Sequence, residues 1–215
     1  MRITKIDNQK KRPGRKNVYV DGKFFAGVST ETLMRLALRT GDEVGPDQVA
    51  ILKKTEEIFS AKNAALRFLG PRPRTVSEIR NKLREKEFGD EEINRTIADL
   101  TEAGLLNDTE FARSFIRNAL AIRPVGALVL KRKLLLLGID KPTVDEAVNQ
   151  LLEPGNEEET ALKAARRFLK TATGHHQAVD KRKLRQKLTG FLGRRGYAWG
   201  TIEPVIKKVL QEEGE

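Results

Sequence analysis

One pattern limits this chain more than any other: an apolar motif recurs three times along its C-terminal part. With Phe88, Ile139 and Tyr197 as reference positions, Ile79, Leu130 and Leu188 stand nine residues earlier, and Leu83, Leu134 and Leu192 five earlier. Ile93, Val144 and Ile202 follow five later, Ile97, Val148 and Ile206 nine later, and Leu100, Leu151 and Val209 twelve later. All eighteen positions are apolar. Steps of three and four residues keep side chains on one helix face, so each copy predicts two amphipathic helices joined by a tight turn.

A further apolar helical segment precedes each pair, marked by Phe68, Phe115 and Phe168. Its distance to the reference position grows from twenty to twenty-four to twenty-nine residues, and the last increment falls in the loop Thr171 to Val179. Length variation confined to one connection is the mark of a structural repeat. The fold class expected is mainly α: three tandem three-helix repeats forming an elongated curved body, preceded by a small N-terminal β-hairpin and helix region. The segments are residues 1–45 (hairpin and helix), 46–108 (linker helix and repeat 1), 109–153 (repeat 2) and 154–215 (repeat 3). Pro154-Gly155-Asn156 marks one boundary and Gly104 to Asp108 another, with Asp108 a candidate helix cap.

The N-terminal region reads differently. Val18-Tyr19-Val20 and Phe24-Phe25-Ala26 flank Asp21-Gly22, a dipeptide that tolerates the positive φ values of a two-residue hairpin turn. Arg2 to Ile6 is a candidate third strand. Lys10 to Lys16 reads as a Pro/Gly-punctuated loop and a candidate basic arm: Lys10, Lys11, Arg12, Arg15 and Lys16. Ser29 is placed to cap a helix running through Leu33, Met34, Leu36, Ala37 and Leu38 to Gly41, and Gly45-Pro46-Asp47 opens the next.

Charge points to the partner class. The 41 Lys and Arg outnumber 30 Asp and Glu, a formal net charge of +11, which favours a polyanion. The excess is concentrated on the second helix of each repeat. Arg72, Arg74, Arg80, Lys82, Arg84 and Lys86 occupy or flank the first such helix, and Lys131, Arg132 and Lys133 the second, with Arg123 before it. Arg182, Lys183, Arg185, Lys187, Arg194 and Arg195 belong to the third, after Lys181. These residues are the candidate nucleic-acid- or nucleoprotein-binding set. The third helices carry acids instead, among them Asp90 to Glu92, Asp145-Glu146 and Glu203. The helix after each turn is therefore the acidic one, which argues against a helix-turn-helix reading of the major groove.

Several chemistries are excluded. There is no Cys, and the two His, His175 and His176, are adjacent and lack nearby ligands, so no metal site, thiolate chemistry or His-based triad is expected. No phosphate-loop, dinucleotide, zinc-protease or nucleophile-elbow motif occurs. No catalytic residue and no cofactor is nominated, and an enzyme is not expected. The aromatics Phe68, Phe88, Phe111, Phe115, Phe168 and Tyr197 fall on repeat positions that favour packing over base stacking, and Trp199 lies at the last turn. No apolar run approaches the ~20 residues of a membrane span, so a cytoplasmic protein without membrane contact is expected.

Arg72-Pro73-Arg74, Ser77 to Leu83, Glu85 to Phe88, then Gly104 to Asp108 with Glu110-Phe111-Ala112, resemble the RecX family, bacterial regulators of the RecA recombinase. Lys183 to Leu188 followed by Phe191 to Tyr197 is similar to its C-terminal signature, and Val18 to Phe24 to the extension of its longer members. Leu134 to Leu137 depart from the family pattern, standing where charged residues are usual. The resemblance implies a non-catalytic protein, and a monomer is expected. Such a protein binds the RecA filament on single-stranded DNA along its groove, in some cases DNA directly, and restrains ATPase, strand exchange and LexA co-protease activity, in recombination, DNA repair and the SOS response. The residues themselves leave a second reading open, an autonomous DNA- or RNA-binding protein of tandem helical modules acting without RecA.

Overall fold

In the computed structural model, a three-stranded antiparallel sheet of order β1-β2-β3 precedes ten helices among the described residues. The structure describes residues 1–152, 154–172 and 181–212. The strands are β1 (Ile3–Asn8), β2 (Arg15–Val20) and β3 (Lys23–Ser29). The helices are α1 (Thr30–Arg35), α2 (Pro46–Leu69), α3 (Val76–Glu85), α4 (Asp90–Glu102), α5 (Asp108–Ile122), α6 (Ala127–Leu136), α7 (Lys141–Leu151), α8 (Pro154–Ala172), α9 (Lys181–Arg194) and α10 (Trp199–Glu212). Two compact units result: Met1–Arg74 with Ile79–Leu106, and Thr75–Glu78 with Asn107–Glu215.

The repeat is realised as α2–α3–α4, α5–α6–α7 and α8–α9–α10. In each, the first helix packs on the third: α2 on α4, α5 on α7, α8 on α10. Sixteen of the eighteen repeat positions are buried, Phe88 and Leu151 being half-buried. Each buried Leu or Ile contributes roughly 1.5–3 kcal/mol relative to exposure, so these positions define the helix faces.

The five-residue step has a specific physical cause. The amides of Phe88, Ile139 and Tyr197 donate to the carbonyls of Leu83, Leu134 and Leu192 at 3.2, 3.3 and 3.3 Å. The residue before each, Glu87, Gly138 and Gly196, has φ of 64°, 79° and 84°. This is a Schellman C-cap, whose first and last residues make an apolar contact. The second helix of every repeat thus ends in the same way.

A recurring joint lies within the second unit. The amides of Gly126 and Leu128, at the start of α6, donate to the carbonyls of Arg195 and Gly196 in the α9–α10 turn, at 2.9 and 3.1 Å. Arg195 Nη1 returns a bond to the Pro124 carbonyl at 2.9 Å, and Glu157 Oε1 accepts from the Ala127 amide at 2.9 Å. A Cβ on Gly126 would lie 2.3 Å from the Gly196 oxygen, so this approach requires glycine. At the equivalent positions, the Thr75 hydroxyl donates to the Leu137 carbonyl at 2.8 Å and Asp108 Oδ1 accepts from the Val76 amide at 2.9 Å. Asp108 therefore caps α3 rather than its own helix. The N-cap of α5 is Asn107, whose side chain accepts from the Glu110 amide at 2.9 Å.

In the first unit, Asp21 and Gly22 both take positive φ and turn β2 into β3. Ile3, Val18, Val20 and Val28 pack with Leu33, Val44 and Leu52. Ser29 caps α1 by accepting from the Thr32 amide at 2.9 Å. The helix is shorter than expected, ending at Arg35: Ala37 adopts φ 50°, and Leu36 and Leu38 leave the helix to pack against the sheet core. The third strand runs from Ile3 to Asn8 rather than Arg2 to Ile6. The basic loop is shorter too, because Arg15 and Lys16 open β2. Linker helix and first repeat helix are one uninterrupted α2, with Gly45 as N-cap and Pro46 in its first turn. His175-His176 and most of the loop that begins at Thr171 lie outside the described residues.

Candidate polyanion interface

The predicted cations divide by what holds them. Arg15 is structural: Nη1 lies 2.8 Å from Glu56 Oε1 and Nη2 donates to the Gly27 carbonyl at 2.7 Å. Arg195 belongs to the joint described above and stacks 4.5 Å from the Phe191 ring centroid. Arg74 lies 4.0 Å over the Phe68 ring and donates to the Phe68 carbonyl at 3.4 Å. Lys16 donates to Asn8 Oδ1 at 2.5 Å, and Arg72 to the Pro73 carbonyl at 3.0 Å.

A second group ties neighbouring helices. Arg80 donates to Asn94 at 2.6 Å, Lys131 lies 2.6 Å from Asp145, and Arg185 lies 3.9 Å from Glu203. Asn94, Asp145 and Glu203 occupy one repeat position, six residues after Phe88, Ile139 and Tyr197. The third helix thus engages one cation of each second helix at this position, through a carboxylate in the second and third repeats and through the neutral Asn94 amide in the first. Asp145 also receives Lys141 at 2.9 Å, and hydrogen bonds from the two ammonium groups hold its carboxyl below the ordinary 3.8, at about 2. Lys82 pairs with Glu85 at 2.8 Å and Arg84 with Asp90 at 3.0 Å, both on the surface, where such pairs contribute at most about 1 kcal/mol and exchange readily.

The remaining predicted cations with no side-chain partner among the described residues are Lys10, Lys11, Arg12, Lys86, Arg132, Lys133, Lys183, Lys187 and Arg194; Arg182, exposed on α9, does have a partner. Their grouping is uneven. Lys183, Lys187 and Arg194 lie along α9 with Gln186 and Gly190, and together with Phe168 of α8 they line a groove of about 490 Å³. A Cβ on Gly190 would lie 3.3 Å from Arg194 Nη1. Arg132 and Lys133 are exposed on α6 beside Leu128, Leu135 and Leu136. Of the departing segment Leu134 to Leu137, only Leu134 is fully buried, so the apolar surplus faces outward.

Reading charge by second helices missed one cluster. Lys163, Arg166, Arg167 and Lys170 of α8, with Pro124, line a groove of about 380 Å³. Arg166 is engaged by Glu212 of α10 at 2.7 Å, and Lys163 by Glu159 at 2.7 Å, but Arg167 and Lys170 have no side-chain partner among the described residues. Their spacing of three and four residues in the sequence was the available signal. Trp199, the first residue of α10, is 59% exposed. Among the described residues no helix is long and apolar enough to cross a membrane.

Fold and surface define a tandem-repeat protein: a small sheet module followed by three three-helix domains with cation-lined grooves. Family models match in that order. The regulatory protein RecX N-terminal domain matches residues 1–45, and the first, second and third RecX three-helix domains match 61–100, 107–148 and 156–206. The regulatory protein RecX of Clostridium acetobutylicum is 33% identical over 216 residues, covering 98% of this chain and 97% of that one. Its namesake from Clostridium beijerinckii is 30% identical, covering 97% and 96%. A crystal structure of a regulatory protein RecX has a TM-score of 0.78 at 27% identity, covering 95% of this chain and 98% of the other. RecX from Lactobacillus salivarius gives 0.64 at 26%, covering 71% and 96%. The chain belongs to the RecX family of regulatory proteins.

Proposed function

We propose that this protein regulates the RecA recombinase by binding the RecA–DNA filament along its groove, restraining ATPase, strand exchange and co-protease activity without chemistry of its own. The segments 1–45, 46–108, 109–153 and 154–215 act as successive modules of a cytoplasmic monomer. The free cations of α6 and α9 supply the anion contacts; Lys82 and Arg84 join them by exchanging their surface carboxylates for phosphates.

The observation that carries this reading is the composition of the α6 surface. Leu128, Leu135 and Leu136 are exposed beside Arg132 and Lys133. Exposed leucines grouped on one helix face favour a protein partner, whereas the cations favour a polyanion. A protein-coated nucleic acid offers both, and naked nucleic acid offers only the second.

The test is RecA ATP turnover on single-stranded DNA at two salt concentrations, with wild type, Leu135→Ser/Leu136→Ser and Lys183→Glu/Lys187→Glu. Wild type lowers turnover, more strongly at low salt. The leucine variant loses this effect while keeping its affinity for naked DNA, and the lysine variant loses the effect and binds naked DNA more weakly, with a flatter salt dependence. Unchanged turnover with wild type, or full inhibition by both variants, overturns the proposal in favour of RecA-independent nucleic-acid binding.

A further inference from the structure

We propose that the first unit holds a separate site for single-stranded nucleic acid, in the cleft between the β1–β2 loop, helix α2 and the α3–α4 turn. The cleft has a volume of about 910 Å³. Helix α2 contributes Phe59, Asn63 and Arg67, spaced four residues apart and therefore on one face. The loop contributes Arg12, and the turn contributes Lys86 and Phe88.

Three features of this wall point to the ligand. Arg12, Arg67 and Lys86 have no side-chain hydrogen bond or ion pair among the described residues, and no carboxylate lines the cleft. Arg15, the fourth cation, is paired with Glu56. Converging like charges with no carboxylate among the lining residues favour an anion in the cleft. Phe59 and Phe88 are half-buried, leaving part of each ring uncovered beside those cations. Cations that follow a phosphate backbone, interleaved with aromatic faces, are how proteins hold unpaired strands; a duplex presents no free base face to stack.

The repeat explains why this concavity is open. In the second unit the α6–α7 and α9–α10 turns are covered, because Leu137, Arg195 and Gly196 accept bonds from the start of a preceding second helix. The α3–α4 turn holds the equivalent place in the first repeat, and the carbonyls of Lys86 and Glu87 receive no donor among the described residues.

The site is tested without RecA, so its failure leaves the filament proposal standing and the converse also holds. Anisotropy of a labelled oligo-dT is measured with the full chain and with Arg12→Ala/Arg67→Ala, thermal midpoints confirming the fold. Affinity falls at least about tenfold, and the slope of log affinity against log salt drops by about 1.4 for two lost phosphate contacts. Phe59→Leu, which keeps apolar bulk but removes the flat ring, weakens binding severalfold. An oligonucleotide carrying 5-iodouracil, crosslinked to the wild-type chain, attaches within residues 59–67 or 86–88. Undiminished affinity in the arginine variant, crosslinks confined to α8 or α9, or tighter binding of duplex DNA or an acidic peptide of equal charge would each overturn the assignment.

Discussion

Glu87 is the residue most at odds with its counterparts. It adopts φ 64° where the other repeats use Gly138 and Gly196. A side chain in the left-handed region costs about 1–2 kcal/mol, partly offset by the flexibility that glycine adds to the unfolded chain. Glu87→Gly is therefore expected to raise stability by about 1 kcal/mol, read as a higher urea midpoint. Gly196→Ala has the opposite sign and a larger size, roughly 2 kcal/mol or more, because its Cβ would also lie 2.5 Å from the Val129 amide nitrogen. Two carboxyls diverge in pH behaviour. Asp145, held at about 2, contributes stability above 3.8 that is lost as pH falls through that window; its carboxyl resonance titrates near 2 and moves up in Lys131→Met. Burial raises the pKa of Asp108 despite the Val76 amide, with Asp140 and Glu78 adding to the rise. Its contribution is present at low pH and lost as pH rises through the raised value. Asp108→Asn keeps the amide acceptor, so its urea midpoint relative to wild type improves from pH 4 to pH 7, whereas Asp108→Ala is weaker at both.

Among the elements, the second and third helices of each repeat were legible because their apolar faces and the C-cap contact recur in register. Burial and capping act on the same positions there, and both leave a trace in residue type. Element ends were less legible. Leu36 and Leu38 continue an apolar run past Arg35, but the run serves the sheet core after the backbone has turned at Ala37. The candidate interface was legible as a charge bias and not as a place. Nothing local to Arg15 announces Glu56, forty-one residues on, and nothing near Phe59 announces Arg12 or Phe88. Such groupings arise only when helices pack. At the α6 terminus, Gly126→Ala is expected to separate the helix from the α9–α10 turn, breaking the Gly126 and Leu128 bonds. The amides of residues 126 and 128 then exchange with solvent faster than those in the middle of α7, which deuterium exchange resolves.

For the molecule as a whole, the net charge of +11 overstates what is available to a partner. Some of the cations brace helices or pair with carboxylates, and among the described residues the predicted cations without a side-chain partner lie in the β1–β2 loop, after α3, on α6 and on α9, with Arg167 and Lys170 of α8 beside them. On the proposed function, affinity for RecA-coated strands depends on salt through those few. Reversal of Lys183, Lys187 and Arg194 is expected to flatten the salt slope by about 2, on the order of 0.7 per phosphate contact. Reversal of Arg15 or Arg195 acts instead through stability. The joint at Gly126 and Gly196 carries one more implication. Its bonds are mostly made by peptide groups, so the scaffold holds its geometry whatever solvent-facing residues decorate the grooves. Preference for one ligand over another can be rewritten on that exterior, by selection or by grafting, without renegotiating how the modules are fastened.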